Sequence, residues 1–222
     1  MAILPMFPLG SVLLPGAVLP LHVFEPRYRE LVQDCLTRDD HEFGVVLIER
    51  GFEVGGGDFR CMAGTVARMV QVAELDDGRY ALVTIGTRRI RVHGWLPDDP
   101  YPKADVDDWP DDEDFSSSDE LRARIAATWA RVRRVNAFAS ELGDQHAAMG
   151  TEIAEDPIVA SYHLCALAPL GPADHQRLLT ARGPSERIDL LEAALDDTEA
   201  LQQFRLQHPS NGTSFDDDFD GS

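Results

Sequence analysis

The sequence predicts an α+β fold in which a β-rich N-terminal half is followed by a helical bundle, and three observations carry that expectation. An apolar ribbon from Leu4 to Tyr28, LPMFPLGSVLLPGAVLPLHVFEPRY, holds five prolines. Between Phe43 and Asp107 come short apolar or alternating runs separated by glycine and aspartate turns. After Ser118 the apolar period becomes helical, with proline near the first turn of three successive segments.

Pro5, Pro8, Pro15, Pro20 and Pro26 recur too often for a helix or a central strand, since each lacks a backbone N–H. The ribbon therefore runs extended, with turns at Leu9-Gly10 and Pro15-Gly16. Glu25-Pro26 starts a helix with proline at its first position, and Tyr28, Leu31, Val32, Cys35 and Leu36 fall on one face. Arg27, Arg29, Glu30, Gln33 and Asp34 point outward, and the helix ends near Arg38-Asp39-Asp40. Phe43 to Glu49 is a short continuous apolar run, as in a central strand buried on both faces with parallel or mixed pairing.

Val54-Gly55-Gly56-Gly57-Asp58 invites a phosphate-loop reading, but Phe59 to Glu74 reads as strand, so the helix N-terminus that would hold an anion is missing. A hairpin loop is expected. Asp76-Asp77-Gly78 turns the chain between Thr65–Leu75 and Arg79–Thr84, and Arg88 to Trp95 forms a further strand with Ile90 and Val92 on one side and Arg89 and Arg91 on the other. Tyr101 to Asp107 adds an edge strand guarded by Pro102 and its acids.

The expected division is a β-rich unit over residues 1–110, an acidic linker over 111–118, a helical unit over 119–207 and a disordered acidic tail over 208–222. Ser118 caps a long helix whose stripe comprises Leu121, Ile125, Thr128, Trp129, Val132, Val135, Ala139 and Leu142. Arg122, Arg124, Arg131, Arg133 and Arg134 ring its other faces and pair with the protein's own carboxylates or stay solvated. Asp156-Pro157 starts a second helix reaching about Ala168, Gly171-Pro172 a short third around Leu178 and Leu179, and Gly183-Pro184-Ser185 a fourth carrying Ile188, Leu191, Leu195, Leu201 and Phe204.

Four blocks carry a family resemblance: Leu4-Pro5-x-Phe7-Pro8-Leu9, Val12-Leu13-Leu14-Pro15-Gly16, Leu19-Pro20-Leu21-His22-Val23-Phe24-Glu25-Pro26-Arg27-Tyr28, and Phe43-Gly44-Val45-Val46-Leu47. In order and spacing they resemble the N-terminal, substrate-recognition domain of the ATP-dependent Lon proteases, a module also found alone in small bacterial proteins. The resemblance continues through Gly64-Thr65-Val66-Ala67, Asp77-Gly78-Arg79-Tyr80 and Gly86 with Arg89-Ile90-Arg91-Val92, and covers roughly residues 1–207. It implies a PUA-like β subdomain, a twisted mixed sheet or pseudo-barrel with one helix, followed by helices. The expected role is a non-catalytic one.

Of the net charge of -19, most lies between Asp98 and Glu120 and in the four aspartates after Pro209. An acidic surface repels phosphate backbones, which argues against nucleic acid as a partner. No apolar run approaches the ~20 residues of a membrane span and no secretory pattern opens the chain, so a cytoplasmic protein is expected. Cys35, Cys61 and Cys165 suit neither a disulfide framework nor a zinc site, and read as reduced, mostly buried thiols.

No catalytic residue, metal ligand set or cofactor motif emerges. His22 reads as a hydrogen-bonded core histidine, His41-Glu42 lacks the second histidine of a zinc-binding helix, and Ser161 and His163 lie on different helix faces. His146, His175 and His208 have no evident partners, and Lys103, the sole lysine, sits without a serine-lysine motif or a GxxxxGK[ST] loop.

What the resemblance implies is a module that binds exposed apolar segments of unfolded or client polypeptides, consistent with an adaptor that presents them to a protease. Main-chain pairing to a sheet edge and apolar contact with the ribbon, near the junction with the helical half, would hold the client. Met6, Phe7, Leu13, Leu14, Phe24 and Tyr28 are the candidate peptide-binding residues, with core packing as the competing role, favoured for Phe7, Phe24 and Tyr28. A small-molecule-binding regulatory domain is the alternative: an apolar cleft favours peptide, a compact pocket with ordered His or Arg a metabolite.

Overall fold

The structure, a computed structural model, describes residues 2–50, 59–112, 118–141 and 153–207. In chain order it has β1 (Ala2–Leu9), β2 (Val18–Val23), α1 (Pro26–Leu36), β3 (Glu42–Arg50), β4 (Phe59–Glu74), β5 (Tyr80–Trp95), β6 (Lys103–Asp108), α2 (Ser118–Glu141), α3 (Pro157–Leu167), α4 (Pro172–Leu179) and α5 (Pro184–Gln207). The α+β expectation holds. The expected Gly55–Gly57 hairpin loop, Leu142 and the acidic tail lie outside the described residues.

Five strands close a ring. β1 runs parallel to β3, β3 antiparallel to β4, β4 to β5, β5 to β6, and β6 returns antiparallel to β1. The sixth, β2, hangs on the outside of this ring, paired antiparallel with the first part of β5. Two expectations change here. Lys103–Asp108 is not an edge strand, because it pairs on both sides and completes the ring. Tyr80–Trp95 is one strand rather than two: a bulge opposite Val66 and Ala67 absorbs Gly86-Thr87 without ending the pairing. Gly86 is required there because a Cβ would run into the Leu14 carbonyl oxygen.

The prolines of β1 are accommodated by stagger. Ala2–Pro5 is in register with β6 and Met6–Leu9 with β3, so each stretch behaves as an edge strand on its other side. The ribbon then feeds all three apolar clusters. Leu4 and Met6 pack inside the ring with Val46, Val66, Ile90, Val92, Ala104 and Val106. Phe7, Leu9, Leu13 and Val23 lie under α1 with Leu31, Val32, Phe43 and Leu82. Leu14 enters the helical cluster with Leu121, Val132, Leu164, Leu178 and Leu191.

Helix α1 buries Tyr28, Leu31, Val32 and Cys35 as expected, whereas Leu36, at its last turn, is exposed. The rings of Phe7 and Tyr28 stack at 4.1 Å, a contact worth about 0.5–1.5 kcal/mol beyond its buried area. In the helical half the expected stripe of α2 is buried from Leu121 through Ala139 except Trp129, which is partly covered. Its arginines pair with α5: Arg124 reaches Asp189 and Glu192, Arg131 reaches Asp196 and Glu199, and Arg134 also meets Glu199. Such solvent-accessible, partly exposed pairs contribute about 0–1 kcal/mol each, so the apolar cluster holds the bundle. Leu201 and Phe204, expected in that cluster, are exposed, because the buried row of α5 after Leu195 continues through Gln202.

Candidate functional site

The junction of the two halves is built on a buried ionic cluster. Arg187, 0% exposed, binds both carboxylate oxygens of Asp111 at 2.7 and 3.0 Å and donates to Ser161 Oγ and the Leu178 carbonyl. Tyr162 donates to the same Asp111, and the Arg187 guanidinium stacks 3.6 Å from its ring centroid. Burial and the Asp111 carboxylate push the Tyr162 hydroxyl up to about 12, so it stays protonated as a donor. Arg89, on β5, crosses to the helices: Nε donates to Trp109 O, Nη1 to Leu179 O and Ala181 O, and Nη2 to Pro110 O, with Asp111 3.0 Å away. Two buried guanidiniums thus share one carboxylate and the last carbonyls of α4, whose negative helix end offsets the excess positive charge. Burial holds the Arg89 value below its ordinary one. Arg89 faces away from Ile90 and Val92 as expected, yet it is buried, because the helical half covers that side of β5. Asp111 and Asp112, the first residues of the expected linker, are tied in through this cluster and through Asp112 N–H to Arg182 O.

Above the cluster opens a groove of about 460 Å³ between the Pro15-Gly16 turn, the β5 bulge at Gly86–Arg88, Trp109-Pro110, and Ile158, Val159 and Tyr162 of α3. Its walls are mainly apolar. Ile158 and Val159 are 45% and 39% exposed, although they sit on the first turn of a helix whose other faces are core. Gly16 adopts φ +81° and makes the turn possible, and it packs against His163 of α3.

From this groove an apolar row runs along β2 and β5. The register pairs Val18 with Ile85, Pro20 with Val83 and His22 with Ala81, so these six residues share one face, opposite to Leu19, Leu21 and Val23, which turn toward α1. Val18 is 62% exposed, Pro20 and His22 are exposed, and their β5 partners are half-buried. At the far end a shallow depression of about 630 Å³ lies over Pro20, His22, Gln71, Ala73, Ala81 and Val83. The outer edge of β2 pairs with no described strand.

Of the six candidate residues, Met6, Phe7, Leu13, Leu14 and Tyr28 are buried in the core. Phe24, directly after β2, is 54% exposed, and the favoured core role is overturned for it alone. His22 is likewise exposed rather than a core histidine, since it falls on the outward alternation of an edge strand. The signal that would have found Val18, Pro20 and His22 was present: from Val18 to Val23 inward and outward positions alternate, but the outward ones are themselves mostly apolar and the run reads as continuous.

The remaining described serine, histidine, lysine and cysteine candidates make local contacts. Ser161 Oγ donates to Ile158 O and accepts from Arg187, and His163 lies against the Gly16 turn. His175 meets the Cys165 carbonyl at 3.0 Å and is held below its ordinary value by burial. Lys103 donates to Asp99 O beside the Tyr101 ring. The thiols are free, Cys35 and Cys165 buried and both pushed up to about 12 by burial. Among the described residues no three His, Cys, Asp or Glu side chains group as a metal site, and no described helix is long and apolar enough to cross a membrane.

Residues 3–197 match the family model of the ATP-dependent protease La (LON) substrate-binding domain. Lon protease 2 of Myxococcus xanthus is 36% identical over 156 residues, 69% of this chain and 18% of that protein, and Lon protease 2 of Sorangium cellulosum is 32% identical over 196 residues, 85% of this chain and 24% of that protein. The chain thus spans a quarter or less of the length of these curated relatives. The solved Lon N-terminal domain protein from Xanthomonas campestris superposes with a TM-score of 0.63 at 30% identity, covering 87% of this chain and 98% of that one. The N-terminal domain of the Mycobacterium avium complex Lon protease shares the fold, with a TM-score of 0.62 at 18% identity over 88% of this chain and 99% of that one. With the family match running from β1 into α5, the chain belongs to the Lon substrate-binding domain family.

Proposed function

We propose that this protein is a non-enzymatic recognition module that binds extended apolar segments of unfolded or client polypeptides, and that the client lies along β2 toward the junction groove. The observation that carries the reading is the outward row of Val18, Pro20, Val83 and Ile85, which leads from a strand edge that pairs with no described strand toward an apolar groove. The six residues of β2 span about 20 Å, enough for a short extended segment, and Phe24 extends the apolar surface beyond it. An adaptor that hands such clients to a protease fits this role and the cytoplasm expected for it. The metabolite alternative is less well supported, because the donors of Arg89 beneath the groove are already engaged by carbonyls and Asp111, leaving few convergent polar groups.

The test is binding of the full chain to an immobilised array of extended peptides and to a permanently unfolded protein, beside Val18→Asp and Ile158→Asp variants whose folding is checked by circular dichroism. Both substituted positions are exposed, so the fold is retained. Apolar peptides should bind, with about tenfold or greater loss in each variant, some 1.4 kcal/mol. Absence of binding by the folded wild-type chain would sink the reading.

A further inference from the structure

We infer that Pro20 closes the outer edge of β2 to main-chain pairing, so that the site reads a client through side chains alone and accepts proline-containing apolar segments as readily as others; this rests on the recognition role proposed above and names its substrate class. Gly86 N–H donates to Ala17 O at 2.9 Å, so the Ala17 carbonyl points at β5. Along an antiparallel pair the main-chain groups of successive residues turn alternately toward and away from the partner strand. In the register that follows, Leu19 opposite Thr84, Leu21 opposite Leu82 and Val23 opposite Tyr80 turn theirs toward β5. Val18, Pro20 and His22 turn theirs to the outer edge, which pairs with no described strand.

Proline thus stands where β2 loses nothing by it. One residue earlier or later, at Leu19 or Leu21, it would remove a bond to β5; at position 20 it removes a donor from the outer edge alone. Toward that edge β2 offers N–H groups at Val18 and His22, about 13 Å apart, with the pyrrolidine ring between them where a hydrogen would stand. A strand laid along the edge would press on the ring and leave a carbonyl without a donor in mid-ladder, and the six residues of β2 give no room for a register that avoids it. The outward face has no such gap. Pro20 is exposed there between Val18 and His22, opposite Val83, and its ring is part of the apolar row. The same proline keeps two copies of this chain from joining β2 to β2.

Three fluorescent peptides of one seven-residue apolar sequence, unmodified or N-methylated at alternate residues in either of the two phases, would be titrated against the full chain by anisotropy. The wild-type chain should bind all three within about threefold, since no client N–H is used. Pro20→Val, which restores the donor at an exposed position, should bind the unmodified peptide about fivefold tighter or more, as one added hydrogen bond allows, with the gain lost in one methylation phase. Self-association of Pro20→Val in sedimentation, absent from the wild type, would show the same edge opened between copies, and Pro20→Ala then serves for the peptide titration. A loss beyond threefold on methylation in either phase with the wild type, or unchanged affinity in both variants, overturns the inference while leaving apolar recognition standing. Failure of all three peptides to bind the folded wild-type chain removes the recognition role itself.

Discussion

Arg187 and Asp111 meet as a bidentate pair, Nη2 to Oδ1 at 2.7 Å and Nη1 to Oδ2 at 3.0 Å, with side chains 0% and 4% exposed. The pair joins the end of the β ring to the start of α5, and Arg89 and Tyr162 converge on the same carboxylate. Asp111→Ala leaves two guanidiniums buried without their shared anion. The expected loss is about 3–5 kcal/mol, read as a lower denaturation midpoint at unchanged slope, whereas Arg124→Ala on the exposed α2–α5 contact should cost no more than about 1 kcal/mol.

Phe7 and Phe24 separate packing from recognition. Phe7 is stacked on Tyr28 in the core, so Phe7→Ala should lose about 3–5 kcal/mol of stability. Phe24→Ala should change stability by no more than about 0.5 kcal/mol and weaken binding of apolar peptides. Chemical denaturation and peptide anisotropy on the two variants check both halves, and a strongly destabilised Phe24→Ala protein would contradict the exposure seen here.

Gly16→Ala carries two penalties. The left-handed backbone costs an L-residue about 1–2 kcal/mol, and the new Cβ would sit 2.8 Å from His163 Nε2. In a double-mutant cycle with His163→Ala, the second substitution should recover part of the loss, giving a coupling of about 0.5 kcal/mol or more. Strict additivity would mean that the turn does not press on α3.

The His175 ring is held neutral by burial, its folded value lying below the ordinary 6.5. With the folded value depressed, the unfolded chain binds the proton more readily, so the contribution to stability is full above 6.5 and is lost as pH falls through the folded value. Thermal unfolding followed from pH 7.5 to 5 should show a shallower decline for His175→Gln than for the wild type. Parallel curves would refute the assignment.

Much of the fold was legible because the relevant signals are local. Pro26, Pro157, Pro172 and Pro184 each occupy the first position of the helix they announce, and Phe59–Glu74 is a strand to its expected limits. What the sequence concealed depends on partners far along the chain. Whether Lys103–Asp108 is an edge is decided by two strands that flank it, and whether Arg89 is buried by helices some ninety residues later. The site suffered most for the same reason. In an apolar ribbon, outward and inward residues have the same chemistry, so Met6 and Leu14 look as available as Val18 until the register is known.

Strand β5 serves two structures at once: Tyr80–Ile85 carries β2, and Arg88–Trp95 closes the ring with β4 and β6. Its alternate residues therefore answer to different constraints. Ala81, Val83 and Ile85, with Val18, Pro20 and His22 opposite, contribute little to the ring's interior and define the outer surface. A library randomised at those six codons would diversify this surface while the closed scaffold stays constant, which makes this pair of strands a graftable display surface.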